Sequence, residues 1–270
     1  MEANSQDLPP DPLPTADVVH APRLVVGDRG AGWVVESWDR FRAAPAFWIG
    51  ITLLYLVVTI VLGSIPLIGP FARLLGAVFM GGLLLACHAQ QQGQPLQVML
   101  LFQCFTRKFV PLLWCGVIQA VITLAIYGAV LVPSLLRAFN DLFPGQEFSE
   151  FDPMALAEKL QGMDPLRLLE LIDYYNILLK LAVCLALLIP VYAAFWFAPA
   201  LIVLGNKGLK DALVLSFTGT LKNSWPFLIY GLCAMLLCLL VPFTLGLALL
   251  PLTPMFFLSM YLSYRDIYLD

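Results

Sequence analysis

Hydrophobic positions along this chain fall into long blocks, and nearly all the charge is gathered into the short segments between them. No Asp, Glu, Lys or Arg lies between Arg42 and Arg73, Arg73 and Arg107, Lys108 and Arg137, Lys180 and Lys207, or Lys222 and Arg265. Each block is long enough to cross a hydrocarbon layer, which takes roughly 20 residues of helix, and the last is long enough for two crossings. A helix on the surface of a water-soluble protein keeps a charged stripe for solvent, and these blocks keep none. The pattern predicts an all-α integral membrane protein with six transmembrane helices, at about 48–65, 71–88, 110–131, 177–204, 225–240 and 244–264. The short turn 64–70 (SIPLIGP) pairs the first two as a hairpin, and three hairpins are expected in all. Pro190, Pro199, Pro251 and Pro254 fall inside spans, where neighbouring helices can satisfy the freed carbonyls and each proline predicts a bend.

The placement of cations sets the expected orientation. Arg23, Arg29, Arg40 and Arg42 precede span one, Arg107 and Lys108 lie between spans two and three, Lys207, Lys210 and Lys222 lie between four and five, and Arg265 follows six. With six spans all of these share one side, so the positive-inside bias puts both termini in the cytosol. Residues 1–22 are Pro-rich and acidic, without the basic start and apolar run of a signal peptide. The stretch 1–30 is therefore expected to be a disordered cytosolic tail ahead of a membrane domain at 31–270. The polar segment at about 133–176 becomes an acidic helical outer loop, with Asp152-Pro153 and Asp164-Pro165 each reading as an N-cap followed by proline at the first helical position.

Spans one, three and five share a prelude. Trp33 to Trp48, Leu96 to Trp114 and Leu209 to Pro226 each hold an apolar-leaning helix, one or two cations, a proline and a nearby tryptophan. Leu209, Ala212, Leu213, Ser216, Phe217, Thr220 and Leu221 recur with helical period on one face. In the first copy Val34, Trp38 and Phe41 share a face, with Glu36 and Arg40 as an i,i+4 pair opposite. Each copy predicts a cytosolic amphipathic interfacial helix in the headgroup plane, its basic end towards anionic lipid and its tryptophan at the interface.

The WxxFRxxPxxW stretch Trp38–Trp48, the SIPLIGP turn, the GGLLLA run from Gly81 to Ala86 and the closing FFLSMYLSYRD together resemble an uncharacterised family of six-span bacterial inner-membrane proteins. That family is similar in plan to the membrane domain of some glycerophosphodiester phosphodiesterases. The resemblance implies a fold and a location. The phosphodiesterase barrel has no counterpart in these residues, so no catalytic residue carries over.

Composition narrows the chemistry. The chain is 60% hydrophobic and 12% charged, against about 25% charged for an average globular domain. Its net charge of −3 gives no footprint for nucleic acid. Cys87, Cys104, Cys115, Cys184, Cys233 and Cys238 lie in or beside the spans, where a thiol serves as a small hydrophobe. Arg73, near the end of span two, either snorkels to the headgroups or contacts a ligand or lipid phosphate. Gln119, one turn from Thr123 in span three, either hydrogen-bonds a neighbouring helix or lines a pore. His88 beside Gln90, Gln91 and Gln92 reads as a polar cap, without the ligand spacing of a zinc motif. No catalytic, cofactor-binding or metal residue is expected. The expected function is non-enzymatic: a structural, lipid-organising or assembly role, with membrane lipids and a second copy or another membrane protein as partners. The alternative is a transporter or channel for a neutral or apolar solute, although no span carries the buried acid that ion coupling needs.

Overall fold

A computed structural model describes residues 17–65, 69, 73–142, 154 and 174–269, and these hold helices and no strand. We number the helices α1 (Arg29–Ala43), α2 (Pro45–Ser64), α3 (Gly76–Gln91, entered by a 3-10 turn Arg73–Leu75), α4 (Leu100–Arg107), α5 (Phe109–Leu142), α6 (Tyr174–Trp196), α7 (Ala198–Val203), α8 (Leu209–Lys222), α9 (Ser224–Cys238), α10 (Leu240–Phe243) and α11 (Leu249–Tyr268). The chain forms two compact units, Met1–Ile118 with Ala193–Asp270, and Gln119–Tyr192. The smaller unit consists of the middle of α5 onwards and most of α6.

Four helices are long and apolar enough to cross a membrane: Pro45–Ser64, Phe109–Ser134, Asn176–Val203 and Ser224–Phe243. Only 17, 6, 17 and 11% of their apolar windows is buried within the chain. The other two expected spans look different. In α3 and α11 most side chains are buried, including Leu83, Leu84 and Leu85 in one and Leu258, Tyr261 and Tyr264 in the other. These two are shorter or more polar because packing, not lipid, surrounds them. They pack on each other, and α7 packs on α3.

Three one-residue junctions repeat. α1 ends at Ala43 and α2 starts at Pro45; α4 ends at Arg107 and α5 starts at Phe109; α8 ends at Lys222 and α9 starts at Ser224. The residue between, Ala44, Lys108 or Asn223, breaks the helix, and its carbonyl then accepts the N–H of Trp48, Leu112 or Phe227 four positions on. Proline falls in the first turn after each break, at Pro45, Pro111 and Pro226, where a missing N–H costs nothing. Each preceding helix packs on a return helix: α1 on α11, α4 on α3, and α8 on α7.

These contacts change several expectations. The stripe that α1 buries is Gly30, Trp33, Ser37 and Phe41, while Trp38 is exposed; Glu36 pairs with Arg29, not Arg40. α1 also packs on α9, and so lies between α9 and α11, which touch each other far less than either touches α1. The aromatic and small side chains of α1 leave no room for a simple α9–α11 hairpin. α2 likewise packs on α11, and it meets α3 through the edge-on pair Tyr55–Phe79 and a hydrogen bond from Trp48. Trp48, expected as an interfacial anchor, is fully buried and donates to Gln90 Oε1 at 3.1 Å. α5 runs on through Pro133 to Leu142, past the expected end of span three. Span four breaks at Phe197, and span six begins only after a loop in which Leu245 and Gly246 take φ of 52° and 89°. Most of the 64–70 turn and both expected helix starts of the acidic outer loop lie outside the described residues.

Close backbone approach fixes the α3–α4 contact. A Cβ on Gly82 would stand 2.3 Å from the carbonyl oxygen of Leu101. Gly82→Val should therefore cost about 1–3 kcal/mol by overpacking, lowering the thermal midpoint of the protein in detergent. Gly231→Ala, in α9 with nothing within 4 Å of the added carbon, should leave it unchanged or raise it slightly.

Candidate functional site

The polar side chains that the helices bury collect where α3, α7 and α11 end. Asp266 stands in the last turn of α11 and is 5% exposed. A carboxylate there faces the negative end of the helix dipole, so the position is unfavourable without cations. Arg29 Nε donates to its Oδ2 at 2.5 Å, Trp33 Nε1 donates to the same oxygen at 2.9 Å, and Arg265 Nη2 lies 3.3 Å from Oδ1. Glu36 joins from α1, 2.5 Å from Arg29 Nη1 and 3.8 Å from Arg265 Nη2. Burial pushes the Asp266 carboxyl upward, but the hydrogen bonds from Arg29 and Trp33 and the charges of Arg29 and Arg265 outweigh it and hold it below the usual carboxylate range. The same contacts raise Arg29, chiefly through its hydrogen bond to Asp266. Asp266 lies two residues beyond the expected end of span six.

A segment expected to be free covers this end. From Asp17 onwards the chain is bonded to helix termini, whereas residues 1–16 lie outside the described residues. Asp17 N–H donates to Leu204 O at 2.9 Å, His20 N–H to Tyr268 O at 2.9 Å, and Arg23 N–H to Ile267 O at 3.1 Å. Arg23 Nε donates to the Asp266 carbonyl. The last carbonyls of a helix have no partner within it, and residues 17–23 supply donors to those of α11. These bonds hold residues 17–23, part of the stretch expected to be a disordered tail. Asn223, fully buried at the α8–α9 junction, extends the strap: its Oδ1 accepts Val25 N–H at 2.8 Å, and its Nδ2 donates to Arg23 O and Gly219 O, both at 2.9 Å.

Beneath the strap is His88, 4% exposed at the end of α3. Gln92 Nε2 lies 2.7 Å from its Nε2, so the amide donates there and the ring proton sits on Nδ1, facing Tyr261 Oη at 3.1 Å. Asp17 Oδ2 is 3.9 Å from the same Nδ1. Burial raises the Asp17 carboxyl above its usual range, against the opposite pull of His88. His88 thus caps the end of α3 as expected, but from a buried position where it ties α3 to α11 and faces Asp17 of the strap.

Two residues were singled out from sequence. Arg73 opens the 3-10 turn before α3, and its side chain lies outside the described residues. Gln119 is half-buried in α5, at the start of the smaller unit. Sequence reading passed over Asp266, Arg29 and Trp33. The signal was there: Asp266 is the first acid after the longest uncharged stretch, at a helix end where an acid needs a reason.

Away from the polar cluster, the helices leave an apolar groove of about 470 Å³ lined by Val34, Val35 and Trp38 of α1 together with Leu237, Leu240, Ala248, Pro251, Leu252 and Met255. The polar cluster satisfies the Asp266 carboxylate through Arg29, Trp33 and Arg265, but leaves Asp17 Oδ2 and Tyr264 Oη, buried at the same end, without a hydrogen-bond partner among the described residues. What it does is lock α1 and residues 17–25 to the end of α11.

Breaking that lock has a pH signature. Because the folded carboxyl is depressed, Asp266 adds stability above its unfolded value of about 3.9, and this is lost as pH falls through the lower folded value. Asp266→Asn should cost about 1–3 kcal/mol at neutral pH, because Arg29 keeps Glu36 but loses the carboxylate that it shares with Trp33, and should flatten the acid limb of a pH–stability curve. Asn223→Ala removes an acceptor and two donations, so hydrogen exchange over residues 17–25 should speed up; unchanged protection there would mean that the strap is held otherwise.

No family model, no curated protein and no solved structure matches the chain, so its reading rests on its own residues and geometry.

Proposed function

We propose that this is a multi-pass protein of the bacterial inner membrane with six spans, α2, α3, α5, α6 with α7, α9 with α10, and α11, and a non-enzymatic role in organising lipid or assembling membrane partners. The observation that carries this reading is the bareness of the four apolar helices, which bury no more than 17% of their windows within the chain. Left in water, such surfaces would associate without limit, whereas acyl chains cover them at no cost. The part of α11 ahead of its charged last turn, 249–264, forms the sixth crossing, and being largely buried it needs less hydropathy than its neighbours.

Orientation follows from the cations. Arg40, Arg42, Lys108, Lys207, Lys210 and Lys222 all flank the three one-residue junctions or the α7–α8 connection, and in this reading those connections face the cytosol with both termini. Lys207 and Lys210 with Asp211, Val214 and Leu215 line a shallow recess of about 500 Å³, a place for anionic headgroups. A second copy of the chain or another membrane protein would meet the bare apolar helices. The concave surface described above is an apolar groove, which favours lipid handling over conduction of a polar solute.

Cysteine accessibility tests the topology. In a background without the six native cysteines, His20→Cys should react with an impermeant maleimide only from the cytosolic side. Leu245→Cys, in the 94% exposed loop position before α11, and Lys159→Cys should react only from outside. Labelling of residues 20 and 245 from one side would remove the six-span reading.

A further inference from the structure

We propose that the groove beside α1 is a lipid site, in which one acyl chain of an anionic phospholipid lies along the groove with its phosphate at Arg42. The proposal rests on the membrane-spanning reading and adds to it a particular ligand in a particular place.

The groove has a structural cause. α1 is wedged between α9 and α11: Gly30 abuts the Pro226 carbonyl, where a Cβ would be 2.1 Å away, and Trp33 bridges Phe227 and Tyr230 of α9 to Asp266 of α11. Held apart at that end, α9 and α11 leave Leu237 and Leu240 facing Pro251 and Met255 across a gap roofed by Val35 and Trp38. Every lining residue is apolar, so nothing in the walls would anchor a water or a polar solute. At about 470 Å³ the space falls in the range of about 300–1,000 Å³ typical of ligand sites. Val35 is 62% and Leu240 49% exposed, so the groove opens sideways, where a chain can enter from a bilayer.

Charge decides the class of lipid. Trp38, which lines the groove, carries the Arg42 guanidinium 5.7 Å from its ring centroid. Arg42 also bonds Asp39, but that uses one of five guanidinium N–H donors, and Arg40 stands two residues away. Arginine presents those remaining donors as a fork suited to phosphate oxygens. An indole and a guanidinium at the mouth of an apolar groove match a phosphate ester at the end of an acyl chain.

Native mass spectrometry of the full chain, reconstituted with equal phosphatidylglycerol and phosphatidylethanolamine, tests this by the lipid retained after detergent release. The wild type should keep one phosphatidylglycerol. Val35→Trp and Leu240→Trp fill the groove from opposite walls at exposed positions, and both should lose it. Arg42→Gln should keep a lipid while its preference for phosphatidylglycerol falls about fivefold. Val57→Trp, on the 56% exposed outer face of α2, should change nothing. Retention unaffected by both groove-filling variants overturns the proposal. So does equal loss in Val57→Trp, which would mean annular lipid alone, or a dimer that Val35→Trp dissociates, which would mean that a second copy fills the groove. A chain that spans the membrane in the cysteine assay yet keeps no lipid overturns the groove and spares the topology; one that fails to insert removes both.

Discussion

The buried carboxylate of Asp266 organises one whole end of this molecule. At the C-terminal end of α11 it meets the negative pole of the helix and is shielded from water, two penalties that only close cations and donors can offset. Arg29 and Trp33 meet that demand from one face of α1, and Arg265 from its own helix. Since Arg29 and Trp33 are four residues apart, satisfying Asp266 fixes both the position and the rotation of α1. The buried stripe Gly30, Trp33, Ser37, Phe41 then follows, and so does the wedge between α9 and α11. The strap follows as well, because the carbonyls that bind His20, Arg23 Nε and Arg23 N–H belong to residues 266–268 of the same terminus.

The contacts also close on themselves. α1 precedes the first pair of spans and packs on α11, the last return helix; α4 packs on α3, the return helix before it; α8 packs on α7, again the one before. Every amphipathic helix thus rests on the return helix of the preceding unit, and the first reaches round to the third. A repeat of this kind explains why each short helix is buried on one side without any polar partner of its own kind: its face was built for a neighbour. The three junction residues differ in how they end the helix. Ala44 leaves it by backbone conformation alone, Lys108 adds a bond from Nζ to Asn206 Oδ1, and Asn223 adds a side chain that ties the N-terminal segment in. Only the third copy can hold the strap.

The blocks of apolar residues made the helices legible, because the membrane reads composition almost directly. The junction prolines marked the starts of α2, α5 and α9 to within a few residues, for a proline costs nothing in a first turn. Rotation was not legible. Val34, Trp38 and Phe41 make as good a stripe by period as Trp33, Ser37 and Phe41, and what separates them is a carboxylate more than 220 residues away, Asp266, which period cannot see. Partnering of helices was equally hidden. Hairpin order suggested α2 with α3 and α9 with α11, whereas the close packing went to α2 with α11 and to α1 between α9 and α11. The strap was missed for a related reason: low hydrophobicity says that a segment cannot build a core, but not that it lacks hydrogen-bond partners. Orphan carbonyls at helix ends are invisible in composition.

The wedge has a consequence for what the molecule can do. Two helices joined by a tight turn ordinarily bury their shared faces against each other, which needs no third body. Here α9 and α11 forgo that contact at one end, and α1 recovers it with Gly30, Trp33 and Phe41, while at the other end the gap stays open between Leu237 and Pro251. If the only requirement were a sealed bundle, a bulkier residue at Val35 or Ala248 would close the gap with no cost elsewhere, since neither position is fully buried. The open gap therefore places an apolar ligand site beside the one amphipathic helix whose rotation is fixed by charge. Because Arg42 and one wall of the groove both belong to α1, the Asp266 contact that fixes this helix also sets the width of the groove and the position of Arg42.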